Sequence, residues 1–132
     1  MNRPEQRLGA RLDVSNLWVL WDIGRADRRS ARERRRHPIE QQFAQVVNLS
    51  VSGAAVVAPH APHLRVGSML DIEAGGFRGM VAIHRIAECG DPDQRVYGVS
   101  FVDFPPAFTD FVYSVLAAAR PSDLAEVWQR SR

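Results

Sequence analysis

The chain has 132 residues, 45% of them apolar and 24% charged, which suits one folded domain and excludes a compositionally disordered chain. No apolar run approaches the roughly 20 residues of a membrane-spanning helix, and the single cysteine, Cys89, excludes a disulfide framework and a thiolate metal cluster. The net charge of +2 hides an asymmetry: residues 1–36 carry ten arginines against five acids, and the remainder seven against ten.

There is no lysine, so every side-chain cation apart from histidine is a planar guanidinium, suited to forked contacts with phosphate and guanine and to stacking on a base. The start of the chain, MNRPEQRLGARLD, has no apolar core of a secretory signal, and a cytoplasmic location is expected.

Residues 1–12 read as a flexible arm, with Pro4 and Gly9 and little apolar periodicity. Leu17 to Ile23, rich in aromatic and β-branched residues, predicts a first strand. An arginine-rich insertion follows over 25–40, with seven arginines in 25–36; it reads as a helix or a mobile loop, and Pro38 discourages helix at His37. Phe43 to Leu49 predicts a strand, Ser50 to Gly53 a turn, and Ala54 to Ala58 a strand stopped by Pro59 and Pro62. Met69 to Glu73 alternates apolar and acidic residues, Gly75-Gly76 makes a tight connection, and Phe77 to Ala87 and Arg95 to Val102 complete six strands.

After Pro105-Pro106 the period changes. Phe108, Phe111, Val112, Val115, Leu116 and Ala119 recur at three and four, so an amphipathic helix is expected over 107–119, and Ser122 caps a short one over 122–130. Both helices are expected to cover the strands.

Asn48 and Ser50 lie two residues apart at a strand end, which puts both side chains on one face, and Gly53 follows where something must approach the backbone closely. Asn supplies an acceptor and two donors, and Ser a hydroxyl. Arg7 and Arg11 are four apart in the arm, a spacing that suits an anion between them. Three pairs in the arginine run have the same spacing: Arg25 with Arg29, Arg28 with Arg32, and Arg32 with Arg36. Only Arg7 and Arg11 precede the Leu17–Ile23 strand, so they are preferred.

Enzyme chemistry finds little support. His60 and His63 have no carboxylate or thiol at ligand spacing, His37 and His84 are isolated, and neither a phosphate-binding loop nor a dinucleotide fingerprint occurs. No catalytic residue, metal or cofactor is therefore expected. The arginine run reads first as a solvated insertion; its lack of interleaved aromatics argues against dedicated reading of nucleic-acid bases but leaves loose phosphate contact, an acidic protein or an anionic membrane surface as alternatives.

The order Arg7-x-x-x-Arg11, strand, Asn48-x-Ser50-x-x-Gly53, small-residue strand, and then Tyr97-Gly98-Val99-Ser100-Phe101 before a helix resembles the PilZ domain family over residues 5 to 119. The gap between Arg11 and Asn48 is longer than is usual for that family, and the excess is the arginine run. The resemblance implies an all-β fold: a six-stranded antiparallel barrel over 13–104 with the insertion at 25–40, followed by a helical segment over 105–132. It also implies a bacterial receptor for the second messenger cyclic di-GMP, with Arg7 and Arg11 clamping phosphates and guanines, Asn48 and Ser50 meeting a guanine edge, and Gly53 letting the ligand lie close.

Ligand-induced ordering of the arm would then signal to a protein output partner. The alternatives are an adaptor of the same fold that binds no nucleotide, and a basic nucleic-acid-binding protein.

Overall fold

The computed structural model describes residues 12–13, 17–28 and 30–118. Arg7, Arg11 and the helix expected over 122–130 lie outside them. Six strands form the body: β2 (Trp18–Asp22), β3 (Gln41–Leu49), β4 (Gly53–Pro59), β5 (Met69–Ala74), β6 (Phe77–Glu88) and β7 (Gln94–Asp103). They pair in the order β3-β2-β5-β6-β7-β4, and β4 pairs back onto β3, so the sheet closes on itself. All the pairings are antiparallel. A two-residue strand, β1 (Leu12–Asp13), continues the line of β2 along β3.

These are the six strands that the sequence predicts. β4 and β7 begin one residue earlier than expected and β3 two: Gln41 and Gln42 join β3 because they pair with Asp22 and Trp21. The Gln42 side-chain oxygen also accepts from the Trp21 indole N–H at 3.3 Å.

The period-two stretches face as their pattern requires. Leu70, Ile72 and Ala74 point into the barrel, while Asp71 and Glu73 alternate with them on the outer side. Leu70, Val81 and Ile83 are essentially unexposed, and burying a side chain of this kind stabilises by about 1.5–3 kcal/mol. Trp21 and Tyr97 meet edge to face at 5.1 Å in the interior. The Tyr97 hydroxyl accepts from the Ala61 N–H at 3.1 Å, so the ring is buried without leaving its polar end unpaired.

Helix α2 (Ala107–Ala117) follows β7 and buries Phe108 and Val112, one turn apart. It ends two residues short of the predicted 119, with Ala118 as its cap. Phe77, Phe101, Phe104, Phe108 and Phe111 form one aromatic cluster, with Phe104 and Phe108 stacked at 3.9 Å and Phe101 edge-on to Phe108 at 5.1 Å. Gly79 makes room for it, since a Cβ there would meet the Phe104 ring at 2.3 Å. In the β5–β6 hairpin, Gly75 and Gly76 both have positive φ, +60° and +85°, the requirement of a two-residue type I′ turn.

Candidate functional site

The turn between β3 and β4 carries the Asn-x-Ser-x-x-Gly residues. A bulge between Val46 and Asn48 shifts the alternation of β3. Val46 and Leu49 both face the core, and Asn48 pairs with Ala55 on the outer side, half-buried. Ala55 in turn pairs with Gly98, so the outward positions beside Asn48 on β4 and β7 are small.

Ser50 departs from the sequence expectation. The chain leaves the strand at Leu49, so alternation no longer governs Ser50, and it is only 3% exposed. Its N–H and its hydroxyl both donate to the Gly53 carbonyl, at 2.9 and 3.2 Å, and its oxygen accepts from the Ser52 N–H at 3.4 Å. The hydroxyl therefore closes the turn.

Gly53 is required for space and does not sit at positive φ. A Cβ there would lie 2.2 Å from the Val99 carbonyl oxygen of β7. The close approach seen in this structure is thus that of the neighbouring strand.

The excursion between β2 and β3 is anchored. It contains a helix, α1 (Ala31–Arg36), opened by a capping box of Ser30 and Glu33 and closed at His37, which is extended as a residue before proline should be. Six residues cannot hold a helix alone, and tertiary contacts supply the rest. The Asp22 carboxylate accepts from the N–H groups of Gly24, Arg25 and Glu40, tying the neck. Asp27 exchanges two hydrogen bonds with Met69 at the start of β5. The Arg34 guanidinium pairs with Asp71 of β5 and also donates to the Arg28 carbonyl. The His63 ring meets the Ile23 carbonyl at 2.8 Å.

This excursion walls a surface groove of about 820 Å³ over the outer face of β2, β5 and β6. Arg34, Asp71, Phe104 and Pro105 are among the residues that line it. The sequence offered no signal for the groove, because the residues that frame it come from distant segments. None of Asn48, Ser50 or Gly53 lines it. The motif turn and α1 adjoin opposite ends of β3, whose nine residues span roughly 26 Å at the rise of a strand. Of the rival arginine pairs, Arg25, Arg28, Arg32 and Arg36 fall within the excursion, at the end of β3 away from the motif turn, and Arg29 lies outside the described residues.

No family model matches the chain, and no curated protein matches its sequence. Among solved structures it is similar to the inhibitor of motility MotI/DgrA of Bacillus subtilis, with a TM-score of 0.58 at 15% identity over 83% of this chain. The matched region is 51% of that protein, so the chain spans about half its length. It is also similar to the PilZ domain, with c-di-GMP, of YcgR from Escherichia coli, with a TM-score of 0.49 at 13% identity over 85% of this chain and 92% of that one. At such identities the likeness concerns the fold. A closed six-stranded antiparallel barrel followed by a C-terminal helix is the arrangement found, the fold that the sequence led to expect.

Proposed function

We propose that this chain is a receptor for cyclic di-GMP that holds the nucleotide between Arg7 and Arg11 of its N-terminal arm and the Asn48–Gly53 turn. The observation that carries the reading is the register of β1. Leu12 pairs with Leu49 and Asp13 with Asn48, antiparallel. Leu12 and Asp13 thus lie beside the motif turn although they are far from Asn48 in sequence, and the segment just before them in sequence carries Arg7 and Arg11.

The chemistry suits the ligand. Guanine presents O6 and N7 to a forked guanidinium, and phosphates favour the same group. Asn48, outward and beside the small Ala55, offers an amide to a base edge. Ordering of an arm over a bound anion is a ready switch, with the barrel as its rigid support and a protein as the reader of the ordered state.

Calorimetric titration of the full chain with cyclic di-GMP tests the reading. Saturable binding is expected. The absence of binding with the nucleotide in large excess would leave a PilZ-like adaptor that takes no nucleotide.

A further inference from the structure

We propose that α1 and the outer face of the β2–β3 hairpin form a docking surface for an anionic lipid bilayer. Arg34 points down to Asp71 on the outside of the barrel. Successive helical residues turn by about 100°, so Arg32 and Arg36 lie about 160° from Arg34, directed away from the barrel, with Arg35 to the side. All three are exposed, and their guanidiniums make no hydrogen bond or ion pair with any described residue. The acid of this helix, Glu33, is engaged in the capping box. The anchors at Asp22, Asp27 and Asp71 hold this arginine platform in place instead of letting it drift in solvent.

Beside the arginines, three of the large exposed apolar side chains belong to one short stretch of the fold. Ile39 is 59%, Phe43 63% and Trp18 52% exposed. Trp18 and Phe43 are diagonal neighbours across β2 and β3, their rings edge to face at 6.5 Å. Alternation puts both on the outer side, since Val19, Trp21 and Ala44 face the core. Strand β5, which carries the Asp71 anchor of α1, pairs with β2, so guanidiniums and apolar residues share the outer side of three adjacent strands.

The pairing of residue types selects the partner. A bilayer interface takes guanidiniums at the level of its phosphates and aromatic or aliphatic side chains just beneath them. A nucleic-acid backbone would leave Ile39 and Phe43 in water. A bilayer needs no pocket matched to these side chains, as a folded acidic partner would.

The test is co-sedimentation of the full chain with phosphatidylglycerol–phosphatidylcholine vesicles against pure phosphatidylcholine. Binding to the anionic vesicles alone is expected, with a blue shift of tryptophan emission as Trp18 leaves water. The double variant Arg32→Ala/Arg36→Ala should lower partitioning roughly thirty-fold, as loss of two arginine contacts with an anionic surface implies. Phe43→Ser should weaken binding while keeping its preference for the anionic lipid. Arg65→Ala/Arg85→Ala removes the same charge from exposed positions elsewhere and should change partitioning by less than about twofold, because such contacts fall off within a Debye length. Equal binding to both vesicle types, no binding to the anionic ones, or equal loss in the two double variants would each overturn the proposal. So would arginine-dependent binding of polyglutamate or duplex DNA where the vesicles fail, which would assign the platform to an acidic protein or to nucleic acid.

Discussion

Asp22 and Glu40, eighteen positions apart, are joined by a hydrogen bond of 3.0 Å from the Glu40 N–H to the Asp22 carboxylate. The same oxygen accepts from Gly24 and Arg25, so one buried carboxylate gathers three backbone donors at the neck of the arginine-rich excursion.

Replacing Asp22 with Ala strands those donors at once. A loss of about 2–4 kcal/mol is expected, from bonds to a charged group and from donors left without a partner. Asn, which keeps an acceptor, should lose less. Urea denaturation measures both, and equal stability of Asp22→Ala and wild type would mean that water replaces the carboxylate without cost.

Gly53→Ala should destabilise the barrel by about 1–3 kcal/mol, because the added methyl meets strand backbone, which yields less readily than a side chain. The effect should appear with no ligand present. An unchanged denaturation midpoint would show that β7 can move away at little cost.

Tyr97→Phe removes the acceptor of the Ala61 N–H while keeping the ring that packs on Trp21. A buried donor left unpaired costs about 1–3 kcal/mol. Thermal and chemical unfolding of this single variant tests whether the hydroxyl or the ring holds the 60–68 loop down.

Phe108→Ala deletes the ring that touches four others in the aromatic cluster. Truncation of a buried Phe costs about 3–5 kcal/mol, and the near-ultraviolet dichroism of the cluster should fall with it. Tyr113→Ala, on the exposed side of α2, is the contrast and should cost little.

For ligand binding, Arg7→Ala and Arg11→Ala should each weaken cyclic di-GMP about ten- to a hundred-fold, from charge-assisted bonds of roughly 1.5–3 kcal/mol. Lys should restore little at either position, since it cannot fork onto guanine. Asn48→Ala should cost about 1 kcal/mol of binding with little loss of stability, whereas Ser50→Ala should cost stability as well, because its hydroxyl closes the turn. Arg32→Ala/Arg36→Ala should titrate like wild type. If that variant abolishes binding while Arg7→Ala and Arg11→Ala do not, the excursion holds the nucleotide.

What the sequence by itself determined is what local pattern can encode. Period-two alternation from Trp18 to Asp103 and the glycine pair at Gly75-Gly76 are local constraints, so all six strands and the β5–β6 hairpin were legible. So was the switch to helix after Pro106, because a three-and-four spacing such as Phe108 to Val112 has one good solution. Tertiary structure alone decided the rest. The pairing of β4 back onto β3 closes the barrel by contacts that no window of sequence contains. Alternation put Ser50 on the face of Asn48, and the end of the strand at Leu49 turned it inward. The arginine run was open between helix and loop because Ser30 to Arg36 has a good cap but too little length. Asp22, Asp27 and Asp71, acids scattered along the chain, hold it against the barrel, and their convergence on one excursion depends on which strands become neighbours.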